Sequence, residues 1–186
     1  MLLSRSLKFL ALGCAMLVAG CDRESAQQAQ PQVQGAAPAQ AGAIDRSRKG
    51  SLLPDFQLKD PSGKELNLAS LKGKPVLINL WATWCAPCVA ELPQLNLLAA
   101  GNPAIRVLTV NQDMDKLDRV APFLAEKGGK ALEPWLNPDN SLAFQFGAET
   151  LPATVFYDAE GREVWRVIGE RNWLSEDTKA LLAEAE

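Results

Sequence analysis

Histidine is missing from the 186-residue chain altogether, and cysteine occurs only four times. Those two shortages exclude most metal chemistry. A structural zinc site needs four Cys or His ligands, usually arranged as two close pairs, but Cys14 and Cys21 lie far along the chain from Cys85 and Cys88. A c-type haem needs His directly after the second cysteine of a C-x-x-C pair, and Val89 stands there instead. No metal site and no bound cofactor is expected. The chain also lacks an excess of positive charge, with a net charge of −3. A phosphate-binding surface needs a basic patch, so nucleic acid is not an expected partner. A bilayer-spanning hydrophobic run is absent as well: the stretch FLALGCAMLVAG, Phe9 to Gly20, falls short of the roughly 20 residues that a membrane helix requires.

That short run has another use. It follows Arg5 and Lys8 and ends on Leu17-Val18-Ala19-Gly20-Cys21, a positive segment, an apolar core and small residues, as in a secretory signal. The ending resembles a bacterial lipobox, in which the cysteine is acylated and becomes the first residue of the mature chain. Residues 1–20 are therefore expected to be a lipoprotein signal peptide, Cys14 to leave with it, and Cys21 to carry the lipid. In similar lipoproteins an aspartate after the lipidated cysteine keeps the protein in the inner membrane, and Asp22 occupies that position. The expected location is the periplasmic face of the inner membrane, an oxidising compartment where unpaired thiols are a liability.

Residues 21–49 read as a tether after the lipidated cysteine. They are rich in Gln, Ala, Pro and Gly, and such a composition buries too little apolar surface to offset the entropy of ordering. The remainder, 50–186, is long enough for one domain. Phe56 and Leu58, a Pro61-Ser62-Gly63 turn, then Leu66 and Leu68 predict a hairpin. PVLINLW, Pro75 to Trp81, is an uninterrupted apolar run and predicts a strand buried on both faces. A helix from Cys85 to about Ala100 is expected next, then a strand over Ala104 to Val110. Further helices are expected over Asp115 to Lys127 and Asn140 to Phe146. ATVFYD and EVWRVIG flank the turn Ala159-Glu160-Gly161 as an antiparallel hairpin, and a last helix runs from about Trp173. The order is that of an α/β sandwich.

Chemistry concentrates in WATWCAPCVAELP, Trp81 to Pro93. Cys85 falls where strand gives way to helix, facing unpaired backbone N–H groups and the positive end of the helix dipole, both of which favour a thiolate. Cys88 lies one turn further, so the two sulfurs meet, and the spacing predicts Cys85 as the exposed nucleophile and Cys88 as the less accessible resolving thiol. Pro87 suits a helix start, whereas Pro93 should bend the helix. No cation stands between the cysteines, which points to a reductant-like potential. Three uses of the pair remain at this level: a cycling dithiol, a static disulfide loop and a Cu(I) site. The copper reading makes the protein a periplasmic Cu(I) chaperone, but the mature chain offers only Met114 and no histidine. A peroxidase reading lacks support, because Thr83 sits two residues before Cys85 where three are needed.

Cys88, Glu91, Leu92, Leu95, Leu98 and Ala99 share one helical stripe. A carboxylate within that apolar stripe would have its pKa raised and could exchange a proton with the neighbouring thiol. A glutamate swung outward near the helix start is the alternative.

NLWATWCAPCVAELP, the hairpin before it and the late Leu151-Pro152 resemble the TlpA/ResA-type thiol-disulfide reductases, relatives of the cytochrome c maturation thioredoxins. The resemblance spans about Leu53 to Leu182. It implies a thioredoxin fold, a central mixed sheet flanked by helices with an N-terminal β-hairpin. It also implies Cys85 as attacking thiol, Cys88 as resolving thiol and Glu91 as the tuner of the active-site proton. Thioredoxins proper carry a buried aspartate where Asn79 stands here, which leaves Glu91 as the acid near the pair. Thr150, Leu151 and Pro152 match the family's cis-proline loop, which pairs with substrate backbone, and Trp84 is expected to cover the nucleophile and join the docking surface. Trp81 is assigned to the core, with Trp135, Trp165 and Trp173 to packing. The implied activity is a protein-disulfide reductase acting on disulfide-containing periplasmic proteins, re-reduced by a membrane electron donor of DsbD/CcdA type.

Overall fold

A computed structural model describes residues 42–185. The signal peptide (1–20), lipidated Cys21 and most of the tether lie outside the described residues.

One eight-stranded sheet organises the domain, in the order β1 (Ile44–Asp45), β8 (Glu163–Ile168), β7 (Ala153–Tyr157), β4 (Val76–Trp81), β5 (Arg106–Asn111), β6 (Pro134–Leu136), β2 (Gln57–Lys59) and β3 (Glu65–Asn67). Its centre is β4 (Val76–Trp81), all six residues of which are buried. β4 runs parallel to β5 (Arg106–Asn111) and antiparallel to β7 (Ala153–Tyr157). Buried on both faces, β4 has no room for polar alternation. Its one amide, Asn79, is satisfied across the ladder, with Nδ2 donating to Thr154 Oγ1 at 3.0 Å. β8 (Glu163–Ile168) lies outside β7 and antiparallel to it.

Successive β4 side chains point to opposite faces, which divides the core in two. Leu77 and Trp81 face one cluster with Leu92, Leu95, Trp165 and Trp173. Ile78 and Leu80 face the other with Trp135, Leu142, Phe146 and Tyr157. The first cluster holds the buried stripe of α1 (Ala86–Gly101), formed by Cys88, Glu91, Leu92, Leu95 and Leu98. α1 continues unbroken through Pro93. Trp81 also stacks on Phe123 of α2 (Val120–Lys127), ring centroids 6.1 Å apart.

Several elements depart from the sequence expectation. The expected helix from Asp115 begins only at Val120, because Lys116 is left-handed (φ 53°) and a single 3-10 turn follows it. The last helix, α4 (Glu176–Leu182), starts after Ser175, whose hydroxyl accepts from the Thr178 N–H and caps the helix. Trp173 precedes it and is buried in the core. β6 (Pro134–Leu136) was not expected. Three residues headed by proline give no alternation to read, but they pair with β5 and join the hairpin of β2 (Gln57–Lys59) and β3 (Glu65–Asn67) to the sheet. The short α3 (Ser141–Phe146) lies close to its expected bounds.

The tether reaches less far than residue 49. β1 (Ile44–Asp45) pairs with Val167 and Arg166 of β8, and the Gly42 N–H donates to the Ile168 carbonyl at 2.8 Å. Composition hid this, since one apolar residue, Ile44, suffices when the backbone is paired to a sheet edge.

A bulge shapes β8. Phe156 pairs with Trp165 but Tyr157 pairs with Glu163, so β8 carries one extra residue and local side-chain alternation is broken. Glu163 and Arg166, three apart, thereby come together as a buried ion pair with side-chain exposures of 1% and 6%. Arg166 Nε donates to Glu163 Oε1 at 2.6 Å, and its guanidinium also binds the Phe146 carbonyl at the end of α3. Removing one member of such a pair strands a buried charge, at about 3–5 kcal/mol, whereas replacing both with apolar residues is often neutral. Glu163→Ala should show that loss in urea denaturation, and the double variant Glu163→Met/Arg166→Met should recover most of it. A single variant as stable as wild type would contradict this account.

Candidate active site

Cys85 is the N-cap residue of α1, with φ −87° and ψ 96°, and Pro87 stands in the first turn. The extended cap conformation lets its sulfur sit over the open end of the helix, where Sγ accepts from the Cys88 N–H at 3.4 Å. Cys85 and Cys88 form a disulfide with their Cα atoms 5.3 Å apart. Cys85 was expected to be exposed, yet it keeps 5% of its surface against 1% for Cys88. Its sulfur is bonded to a buried partner, and the order of access between the two sulfurs is still the expected one.

Trp84 stands out 71% exposed at the edge of a 590 Å³ depression shared with Asp113, Met114 and Phe123. The turn beneath it is held by Asp113, a residue that sequence reasoning did not single out. Its carboxylate accepts from the Thr83 N–H at 3.1 Å and from Asn111 Nδ2 at 3.2 Å. Asn111 Oδ1 accepts from the Asp113 N–H in return. The buried Asn-x-Asp at the end of β5 was a signal available in the sequence, though nothing there linked it to Thr83.

On the other side of the pair, the Leu151–Pro152 peptide bond is cis. Thr150, Leu151 and Pro152 line a 310 Å³ cleft with Pro87, Gly169 and Glu170. A second cleft of 240 Å³ also contains Pro87 and Glu170 and has Glu91, Gln94, Arg171 and Asn172 in its walls.

Glu91 is turned inward, 3% exposed. Oε1 accepts the backbone N–H of Arg171, whereas Oε2 has no hydrogen-bond partner among the described residues. Burial is the main force on this carboxyl and lifts its pKa from 4.5 to about 7. The Arg171 N–H opposes that shift, and the Glu170 carboxylate adds to it. Trp173 and Asn79 approach the carboxyl and hold the shift back slightly. Neither makes a full hydrogen bond, since Oε2 and Trp173 Nε1 are both left unpaired. Glu170 shares the cleft of Glu91 as a second acid, which sequence reasoning did not single out.

The loop Gly169–Trp173 was missed altogether. It works through backbone N–H groups: that of Arg171 on Glu91, and that of Trp173 on Gln94 Oε1 at 2.8 Å. Main-chain donors leave no residue-type signature. A dithiol at a helix N-terminus, a buried acid titrating near neutrality one turn away and an open groove beside a cis-proline can together carry out thiol-disulfide exchange.

The Redoxin family matches residues 48–182. The chain is 33% identical over 144 residues to the thiol:disulfide interchange protein DsbE of Vibrio cholerae, covering 73% of this chain and 77% of that protein. It is 29% identical over 127 residues to the thiol-disulfide oxidoreductase ResA of Bacillus anthracis, covering 68% and 73% respectively. Among solved structures, the pneumococcal exposed lipoprotein thioredoxin Etrx1 of Streptococcus pneumoniae superposes with a TM-score of 0.61 at 28% identity, covering 70% of this chain and 99% of that one.

A carboxyl with a raised pKa favours the fold most when it is protonated. The stability it leaves intact below pH 4.5 is lost as pH rises through about 7, on the order of 3 kcal/mol in all. Glu91→Gln cannot ionise. Denaturation midpoints taken across that range should fall for wild type and stay nearly level, by comparison, for the variant. Parallel curves would mean that Glu91 is solvated like a surface acid.

Proposed function

The chain belongs to the Redoxin family and is a thiol-disulfide oxidoreductase of the ResA/DsbE type; from that premise we propose that it reduces disulfides of periplasmic proteins while held to the inner membrane by a lipid on Cys21. The observation that carries the reductase reading is the asymmetry of the dithiol, with Cys85 at the helix cap and Cys88 buried one turn from the inward-facing Glu91. The Cys85 thiolate attacks one sulfur of a substrate disulfide, and the other leaves as a thiolate. A mixed disulfide joins Cys85 to the substrate. Cys88 then gives its proton to the Glu91 carboxylate and attacks Cys85 Sγ, releasing the second substrate sulfur. Two electrons have passed to the substrate, and the Cys85–Cys88 disulfide present in this structure is the product.

During the attack the substrate chain lies in the cleft beside Thr150, Leu151 and Pro152, with exposed Trp84 on its other flank. Proton transfer through a buried acid suits this work, because a group with a pKa near the working pH both accepts and returns a proton readily. Each turnover leaves the protein oxidised, so a two-electron thiol donor in the membrane, of the DsbD/CcdA kind, completes the cycle. A lipid on Cys21 keeps the domain within reach of that donor. The lipoprotein nature of the similar pneumococcal thioredoxin supports this arrangement.

Two experiments test the reading. Cys88→Ser retains attack but not resolution, so it should accumulate mixed disulfides with periplasmic proteins, while Cys85→Ser accumulates few; equal trapping by both would reverse or refute the roles. Metabolic labelling with palmitate should tag wild type and not Cys21→Ser. An untagged, freely released wild type would remove the anchor from the account.

A further inference from the structure

Among the described residues the Glu91 carboxyl receives one hydrogen bond, from a loop, and that loop is fastened by the side chain of the residue that donates it. While the Arg171 N–H faces Glu91, the guanidinium points away from the carboxyl and reaches three separate places. Nε donates to Thr178 Oγ1 of α4 at 2.9 Å, Nη2 pairs with Asp177, and Nη1 donates to the Gly42 carbonyl at 3.5 Å. The Arg171 side chain keeps 10% of its exposure in spite of its loop position. Thr178 is itself fixed, giving its hydroxyl to the Asn172 carbonyl at 2.7 Å. Gly42 is equally constrained. Its φ of +79° favours glycine, and a Cβ built there would lie 2.8 Å from the carbonyl oxygen of Glu170, the residue just before Arg171.

We propose that Arg171 is a positioning residue for the proton step, keeping its own N–H on Glu91 by tying the loop to α4 and to the N-terminal strap at Gly42. The inference rests on the reading of Glu91 as proton acceptor for Cys88. A planar guanidinium suits the task because its donors leave in fixed directions and engage several partners without rearrangement. Lysine offers one flexible point and does not replace it. The geometry also joins the start of the domain to the active site, since the chain that enters at Gly42 is hydrogen-bonded to the side chain that sets the Glu91 bond. The charged groups around the carboxyl are Glu170 and Arg171 on the loop, with Asn79 of β4 and Trp173 as polar neighbours that do not titrate; Cys88 lies one turn back on the same helix and titrates only when the disulfide is reduced.

The test follows the pH profile of dithiol oxidation by glutathione disulfide in the full-length protein, together with the infrared carboxyl band assigned to Glu91 by its loss in Glu91→Gln. Arg171→Met frees the loop from α4 and the strap. Gly42→Ala pushes the Glu170 carbonyl from the other side and keeps the arginine, which serves if Arg171→Met folds poorly. Weakening the Arg171 N–H bond removes a contact that favours the ionised carboxyl, so both the inflection and the band should titrate higher by roughly half a unit to one unit. Glu91→Gln should abolish the inflection near 7 that belongs to the carboxyl, leaving the one that belongs to the Cys85 thiol. If it does so while both loop variants titrate as wild type, Arg171 is merely structural and the proposal fails. If the inflection survives in Glu91→Gln, the proton role of Glu91 fails first, and this inference falls with it.

Discussion

A carboxyl group enters the apolar stripe of α1 with one oxygen paired to a single backbone N–H and the other paired to nothing among the described residues. Leaving a buried acceptor unsatisfied costs about 1–3 kcal/mol, and leaving it ionised there costs more. The protein meets that constraint by letting the group titrate near neutrality. It also requires that the Arg171 N–H stay in place, and so the end of β8 must be held firmly. The β1 pairing beside the end of β8 and the Arg171 contacts to α4 and Gly42 bear on that short run of chain.

Sheet topology explains why distant segments meet at the cysteines. β4 and β5 are parallel, so their carboxyl ends share an edge, and one delivers the Cys85 turn while the other delivers Asp113. β7 is antiparallel to β4 and therefore begins at that edge, with Pro152 just before it. β8, antiparallel to β7, ends there and supplies the loop over Glu91. Four connections thus converge where ligands bind in open α/β sheets, outside the carboxyl ends of the central strands.

What could be read from the residues alone follows from the kind of signal each feature leaves. The apolar run of β4 and the 3.6-residue stripe of α1 are periodic and long, and Glu91 stood out as a break in that stripe, which by itself left inward and outward placement open. β1 and β6 are two and three residues long and offer no period. The Glu163–Arg166 pair sits at a spacing that alternation assigns to opposite faces, and only the bulge reconciles it. Arg171 was hidden for a different reason. It acts on Glu91 through a main-chain N–H, which every residue other than proline possesses, and its side chain works on the next helix and on Gly42, 129 positions away.

In the proposed mechanism the two sulfurs differ less by exposure, at 5% and 1%, than by what each faces. Cys85 faces the backbone donors at the open end of α1, a fixed partial positive charge that never titrates. Cys88 faces an acid. Two anions in that buried space would repel strongly, so an ionised Glu91 discourages a second charge on Cys88 and instead takes its proton when the sulfur attacks. The charge then passes to the substrate with the departing sulfur, and the site itself is left neutral. An asymmetry of this kind orders the two steps, attack by Cys85 and then resolution by Cys88, without requiring either thiol to move.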